Sequence, residues 1–178
     1  MALFNNDAFA EPNWLEELLK TAESDPKIFA VSSLMLRYYE PELADDAGDY
    51  VTILGFACKR GDGLKASRYQ KPCRIFSACG GAALYRKSIL DKIGVFDELF
   101  FAYYEDVDLS CAPTILVIKT SIAPLQSAAI SAVPPPARCG ITHSKAFRAA
   151  ATAFCCPTKT SRWSCWLSIL SPCCWAIC

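Results

Sequence analysis

The distribution of acidic residues divides this chain of 178 residues into two unlike parts. All 18 acidic side chains lie between Asp7 and Asp108, and residues 111–178 contain none. The second part carries six of the 18 basic residues, eight of the 11 cysteines and seven of the 11 prolines. The formal net charge of zero is therefore the sum of an acidic part and a basic part. Neutrality argues against an extended basic face, so we expect no nucleic-acid partner.

The acid-free part does not have the sequence pattern of a folded domain. Its prolines, including the run at 134–136, interrupt every stretch that could extend a helix, and each removes a backbone donor that a central strand needs. Its cysteines lack the paired spacings of a structural zinc site. We therefore predict a folded domain over residues 1–110 and an irregular tail, rich in cysteine and proline, over residues 111–178.

The first part alternates between strand patterns and helix patterns. Apolar spacing predicts a strand end at 1–4, an amphipathic helix at 14–22, buried strands at 28–36, 50–56 and 82–85, and a short helix at 87–93. The segment between the first two buried strands is acidic, with Asp45 and Asp46, and we expect it to be an exposed loop. Strands that alternate with helices predict a mixed α/β sheet.

Three short motifs in this part are candidates for chemistry, and each also has a purely structural interpretation. Asn5-Asn6-Asp7 follows the first strand and could be a turn whose side chains cap the backbone. Glu105-Asp106 begins a helix and could be its N-terminal cap. Gly80-Gly81 suits a close approach of the backbone to a ligand, and it suits a β-bulge equally well.

The order of these motifs resembles that of a known family. The segments LFNNDAFAEPNWLEELLKTAESDPKI and FSACGGAALYRKSILDKIGVFDELFFAYYEDVDLS are similar to family 2 glycosyltransferases, in particular the bacterial rhamnosyltransferase-like members. The resemblance covers about residues 2–110. It implies a partial nucleotide-diphospho-sugar transferase (GT-A) fold that lacks about a hundred N-terminal residues of a complete enzyme. It ends abruptly after Ser110, and a change of reading frame near Cys111 would explain why.

The resemblance also implies roles for the motif residues. Asp106 would be the general base that deprotonates the acceptor hydroxyl, and Glu105 would orient the acceptor or the base. Asp7 would hold a divalent metal, Mg²⁺ or Mn²⁺, that neutralises the diphosphate leaving group. The residues expected to contact the donor or acceptor are Asn5, Asn6, Gly80 and Gly81. The implied partners are a nucleotide-sugar donor and a saccharide or lipid-linked acceptor, and the product is formed with inversion.

A second hypothesis from a different class remains open. The chain could be a catalytically inactive truncated product that at most binds a partner or a membrane through its apolar end. Residues 163–178 are apolar but number only 16 and include Pro172, whereas a bilayer-spanning helix needs about 20 residues. The expected location is therefore the cytoplasm, with peripheral association at the inner face of the cell membrane.

The change of reading frame can be tested in the gene. Shifted by one base, codons for residues 132–138 can encode Ser-Ala-Thr-Thr-Gly-Ser, which resembles the corresponding sequence of family members. We expect translation beyond codon 110 in one alternative frame to continue the resemblance. If neither alternative frame encodes a sequence that resembles the family, no change of reading frame has occurred.

Overall fold

The structure is a computed structural model that describes residues 1–52, 56–98, 100, 103–115 and 119–130, with the backbone alone from residue 112 onward. The strands are β1 Ala2–Phe4, β2 Ala8–Ala10, β3 Ile28–Arg37, β4 Ala44–Asp46, β5 Asp49–Val51, β6 Ala57–Lys59, β7 Arg74–Ile75, β8 Ala82–Tyr85 and β9 Lys119–Ile130. The α-helices are α1 Trp14–Glu23, α2 Lys87–Ile93 and α3 Glu105–Ile115, and a 3-10 turn spans Ala66–Tyr69.

One mixed sheet organises the described residues. Its strand order is β1-β8-β3-β9-β2, with β4 paired to β3 and β7 paired to β9. Strand β3 is antiparallel to β8 and parallel to β9. Strands β5 and β6 form a separate antiparallel hairpin. The sheet is therefore the mixed α/β sheet that the sequence predicts.

The sheet has helices on both faces, because side chains of β8 alternate between two apolar clusters. Ala82 and Leu84 join the cluster that contains Trp14 and Leu18 of α1. Ala83 and Tyr85 join the cluster that contains Leu90 of α2 and Leu109 of α3. Strand β3 lies between these layers, and its residues from Ile28 to Met35 are buried. The three-layer packing fixes where each end of β8 lies.

Arg86, directly after β8, ties the helix α1 layer to the sheet. Its Nε donates a hydrogen bond to Ile28 O at 2.8 Å, and its Nη2 donates to Ala22 O and, at 3.3 Å, to Asp25 O. These carbonyls belong to the end of α1, the loop after it and the start of β3. The guanidinium therefore fastens the connection between α1 and β3 to the end of β8. The helix that follows, α2, ends at Gly94, whose φ of 88° suits glycine.

Regular structure continues past the predicted boundary at residue 110. Helix α3 ends at Ile115, and β9 runs beside β3 in the middle of the sheet. The sheet accommodates Pro124 because the pairing is irregular there: β9 advances from Ile122 to Ser127 while β3 advances only from Ser32 to Leu34. A proline is tolerated at such an irregularity, where its missing N–H breaks no ladder bond. The rest of the predicted tail, residues 131–178, lies outside the described residues.

The third predicted strand is shorter than the sequence indicates. Its pattern spans residues 50–56, whereas β5 ends at Val51 and residues 53–55 are not described. Within the described part of the chain, no helix is both long and apolar enough to cross a membrane. The apolar segment 163–178 is outside that part.

Substitution of a phenylalanine in β3 tests this arrangement. Phe29 is fully buried against Tyr85, with ring centroids 5.5 Å apart. We expect Phe29→Ala to lower the free energy of unfolding by about 3–5 kcal/mol, because it leaves a cavity in the core. The matched control Phe9→Ala removes a side chain that is 57 % exposed, and it should cost less than about 1 kcal/mol. Equal effects in urea unfolding would contradict the packing of β3.

Candidate functional site

A turn that contains Gly80 and Gly81 lies between β7 and β8 and forms the centre of the site. Asn5, directly after β1, donates its backbone N–H to Gly81 O at 2.9 Å. A Cβ on Gly81 would lie 3.3 Å from both Asn5 Nδ2 and Met35 Cε, which is tighter than an ordinary contact. The diglycine therefore lets the end of β1 approach the turn closely.

Asp106 accepts three hydrogen bonds, two of which come from the segment between β7 and β8. Gly80 N donates to Asp106 Oδ2 at 2.9 Å, and Val107 N donates to Asp106 Oδ1 at 2.8 Å. Ser77 Oγ donates to the backbone carbonyl of Asp106 at 3.1 Å. Burial raises the pKa of Asp106, while the two backbone N–H groups and the charge of Lys59 act to lower it. The carboxylate is thus oriented by the sheet at the start of α3, where the helix dipole favours a negative charge.

The two residues before Glu105 and Asp106 have an unusual backbone conformation. Tyr103 and Tyr104 have φ values of 69° and 72°, a left-handed conformation that non-glycine residues rarely adopt. The Tyr104 side chain is buried, and its hydroxyl accepts a hydrogen bond from Ala57 N at 3.3 Å. Two such residues in succession concentrate backbone strain directly before Glu105 and Asp106. Strain of this kind persists only where the surrounding packing holds it.

Glu105 occupies the first position of α3, as the sequence predicts. Its side chain is partly buried, and its Oε2 is inaccessible and accepts no hydrogen bond from the described residues. Burial raises the pKa of Glu105, and the neighbouring charge of Asp106 raises it further. Glu105 and Asp106 therefore interact electrostatically at the start of the helix.

A second group of side chains lies next to the diglycine turn. Asp46 ends β4, Asp49 begins β5, and Cys79 directly precedes Gly80. One ligand atom from each of the three lies within 4.8 Å of the other two, a spacing suited to holding a metal ion. The backbone explains the convergence, because Asp49 N donates to Ser77 O at 2.9 Å and Ser77 N donates back to Asp49 O at 3.3 Å. We name these three residues the Asp-Asp-Cys cluster.

Burial and mutual repulsion disfavour the charged forms of the cluster. Burial raises the pKa of Asp46 to about 6, against the charge of Lys59 and a hydrogen bond from Gly48 N, which lower it. Burial also raises the pKa of Asp49 to about 8, and the charges of Asp46 and Asp106 add to the shift. The thiol of Cys79 has its pKa raised well above its usual range by burial and by the same carboxylates. The charge of Asp106 raises the pKa of all three residues, so the cluster and Asp106 interact electrostatically.

Lys59 supplies positive charge beside the cluster. Its Nζ lies 2.8 Å from Asp45 Oδ2. Burial acts to lower the pKa of Lys59, but the Asp45 ion pair and the charge of Asp46 outweigh it and raise the pKa overall. Lys59 therefore stays protonated, and its direct partner is Asp45.

The structure brings together most of the residues that the sequence proposes. Asn5, Gly80, Gly81 and Asp106 meet at one turn, with Glu105 next to them on α3. Asn6 and Asp7 lie exposed in the turn between β1 and β2, and Asp7 is not part of the Asp-Asp-Cys cluster.

Sequence reasoning missed that cluster. The prediction that the segment with Asp45 and Asp46 is an exposed loop was wrong for Asp46, which is fully buried. The reason is that β4 pairs with β3, so that Asp46 lies opposite Met35. Gly48, with a φ of 90°, then turns the chain back towards Asp49. The sequence signal was an aspartate pair followed closely by glycine and a third aspartate, which marks a tight turn as readily as a loop.

Comparison with known proteins identifies the fold. No protein-family model matches the chain, and no curated protein matches its sequence. Solved structures do match, among them the crystal structure of GalNAc-T7 with UDP, GalNAc and Mn²⁺. That protein is 14 % identical, with a TM-score of 0.55 over 71 % of this chain, and the match covers 26 % of its own length. The chain thus spans about a quarter of the length of that protein. It has the GT-A type of mixed α/β fold, as the resemblance in the sequence implies.

The raised pKa values predict how stability depends on pH. In the unfolded chain an aspartate releases its proton near pH 4, whereas in the folded chain Asp49 keeps it up to about pH 8. The folded state therefore binds more protons between these values, and its stability falls as the pH rises through this window. In EDTA, we expect the free energy of unfolding to decrease between pH 5 and pH 8, by on the order of a few kcal/mol.

The variant Asp49→Asn should flatten this pH dependence, since it cannot ionise. Asp91→Asn is the matched control, because Asp91 is exposed and pairs with Lys87. Urea unfolding across the pH range measures both. If the free energy of unfolding of Asp49→Asn changes with pH as steeply as that of Asp91→Asn, Asp49 is not the source of the pH dependence.

Proposed function

We propose that the chain is part of an inverting family 2 glycosyltransferase, similar to bacterial rhamnosyltransferases, that uses Asp106 as its general base. The observation that carries this proposal is the anchoring of the Asp106 carboxylate on Gly80 N at 2.9 Å, next to the turn that Asn5 approaches. The GT-A fold supports the same class of reaction, because solved structures with that fold include a glycosyltransferase with UDP, GalNAc and Mn²⁺.

The chemistry expected of Asp106 follows from its environment. In an inverting transfer, a carboxylate removes the acceptor hydroxyl proton while that oxygen attacks the anomeric carbon from the face opposite the diphosphate. Each carboxylate oxygen has two lone-pair positions, so Oδ2 can accept from Gly80 N and from an acceptor hydroxyl together. A raised pKa makes the carboxylate a stronger base, and its backbone hydrogen bonds keep it in one orientation. Glu105, one residue earlier, would orient the acceptor or Asp106.

A divalent metal, Mg²⁺ or Mn²⁺, would be held at Asp7. The exposed carboxylate of Asp7 and the amides of Asn5 and Asn6 offer the oxygen ligands that these hard cations prefer. Only Asp7 of this motif is anionic, so oxygens of the donor diphosphate would complete the coordination. When bound, the metal would neutralise the charge that develops on the diphosphate leaving group.

The remaining residues would line the space for the two substrates. Asn5 and Asn6 would contact the donor next to the metal, and the bare backbone of Gly80 and Gly81 would allow a sugar to approach. The donor would be a nucleotide-diphospho-sugar, and the acceptor a saccharide or a lipid-linked saccharide. With such substrates the reaction would take place in the cytoplasm. The protein would associate peripherally with the inner face of the membrane, where a lipid-linked acceptor lies.

Two variants separate the proposed roles. The full chain is assayed for transfer and hydrolysis of a panel of nucleotide-sugars with Mn²⁺ and with Mg²⁺. We expect Asp106→Asn to lower turnover by about 100-fold or more, because it removes a general base, with nucleotide binding unchanged. Asp7→Ala should instead abolish the metal dependence of nucleotide binding, and the exposed Asp91→Asn should behave as the wild type.

The alternative of an inactive product gives a different result. A wild-type chain with neither turnover nor metal-dependent nucleotide binding would overturn the proposed function and favour that alternative. Turnover retained by Asp106→Asn would overturn the choice of base alone.

A further inference from the structure

The Asp-Asp-Cys cluster has the arrangement of a second, closed metal site. Its ligands come from three separate segments, the end of β4, the start of β5 and the turn before β8. The two carboxylates are buried, with Asp46 0 % exposed and Asp49 8 % exposed, and Cys79 is partly buried. This position differs from that of Asp7, which is exposed in the turn between β1 and β2. A Cβ on Gly81 would lie 3.3 Å from Asn5 Nδ2 and 3.6 Å from Cys79 Sγ, so the cluster adjoins the Asn5-Asn6-Asp7 motif, but Asp7 is not one of its ligands.

Asp46 has a buried carboxylate oxygen that no described residue satisfies. Asp46 Oδ1 accepts a hydrogen bond from Gly48 N at 2.5 Å, but Asp46 Oδ2 is inaccessible and has no hydrogen-bond partner among the described residues. The nearby Lys59 ammonium is paired with Asp45 instead. A buried carboxylate oxygen without a partner is costly, and native structures nearly always satisfy it. A cation between Asp46, Asp49 and Cys79 would be that partner.

The donor atoms indicate which cation fits. Two carboxylates and one thiolate suit Zn²⁺, whereas Mg²⁺ and Ca²⁺ prefer oxygen ligands alone. Bond lengths of about 2.0–2.3 Å place neighbouring ligands of a tetrahedral zinc roughly 3.3–3.8 Å apart. The ligand atoms lie within 4.8 Å of one another, so small rotations of the side chains would close the site. A fourth position would remain for water.

Charge balance favours a divalent cation at the cluster. Asp45, Asp46, Asp49 and Asp106 interact electrostatically in this region, and Lys59 opposes them. A divalent cation would offset the excess of carboxylates. Zinc binds the thiolate form of cysteine and the ionised form of a carboxylate, so the proton of Cys79 and, below about pH 8, the proton of Asp49 would be released to solvent on binding.

We infer that Asp46, Asp49 and Cys79 form a zinc site next to the diglycine turn. Bound there, zinc would fasten the β5–β6 hairpin to the turn that orients Asp106. This inference does not depend on the proposed transferase activity, because it concerns binding and stability.

The experiment measures metal uptake by the full chain. The purified protein is stripped with a chelator and titrated with Zn²⁺, and then with Co²⁺, whose thiolate charge-transfer band reports a Co–S bond. Because the chain has 11 cysteines, the informative quantity is the difference between matched variants. Cys58→Ser is the control, since Cys58 has the same intermediate burial as Cys79 and lies outside the cluster.

We expect Cys79→Ser to bind one equivalent of Zn²⁺ less than Cys58→Ser and to lose the corresponding Co–S band. Zn²⁺ should also raise the midpoint of thermal unfolding of the wild type and of Cys58→Ser, because it binds only the folded cluster. Asp7→Ala should retain this stabilisation, which separates the cluster from the proposed Asp7 metal.

Circular dichroism checks that each variant folds. If Cys79→Ser does not fold, Asp49→Asn, which preserves shape, replaces it and should bind zinc at least about tenfold more weakly. Equal stoichiometry, affinity and Co–S absorption in Cys58→Ser and in the folded cluster variant would overturn the zinc site. Asp46 and Asp49 would then be a carboxylate pair that holds a proton.

Discussion

The hydrogen bond from Gly80 N to Asp106 Oδ2 connects the central sheet to helix α3. Strand β8, which begins directly after the diglycine turn, pairs with β1 on one side and with β3 on the other. The turn therefore has little conformational freedom. Its hydrogen bond from Gly80 N fixes the orientation of the Asp106 carboxylate. Because the bond leaves lone pairs of Asp106 open, the sheet orients this group without occupying it. A carboxylate positioned in this way by sheet backbone would suit the general base that we propose, because its orientation does not depend on a bound substrate.

This arrangement carries energetic costs that the core offsets. Burial raises the pKa of Asp46 and of Asp49, and neighbouring carboxylates raise both further. Each left-handed tyrosine before α3 costs on the order of 1–3 kcal/mol. The apolar layers on both faces of β3 provide the opposing stability. Unfavourable local features gathered at one turn, within an otherwise well-packed sheet, are typical of a functional site.

Local patterns in the sequence predicted much of the fold. The spacing of Trp14 and Leu18 predicted α1, and the apolar run from Ile28 predicted β3. Strand β9 was not predicted, because Pro124 reads as a strand breaker and only the irregular pairing with β3 accommodates it. Position in a sheet is set by distant partners, which periodicity does not reveal.

The same limit applies to the candidate site. The order of Asn5, Gly80 and Asp106 along the chain, together with the family resemblance, was enough to predict that they belong together. The Asp-Asp-Cys cluster could not be predicted in this way, because its residues meet only through the pairing of Asp49 with Ser77. The acidic segment around Asp46 looks solvent-exposed in sequence, and the pairing of β4 with β3 buries it.

We propose the substrate site at the diglycine turn, which hydrogen-bonds both Asn5 and Asp106. A crystal structure of the full chain with a nucleoside diphosphate and Mn²⁺ tests it most directly. We expect the diphosphate and Mn²⁺ next to Asn5 and Asp7, with the Asp106 carboxylate still bound to Gly80 N and facing the same space. A nucleotide bound elsewhere, for example in the groove lined by Leu36, Pro41 and Gln70, or an Asp106 carboxylate detached from Gly80, would contradict it.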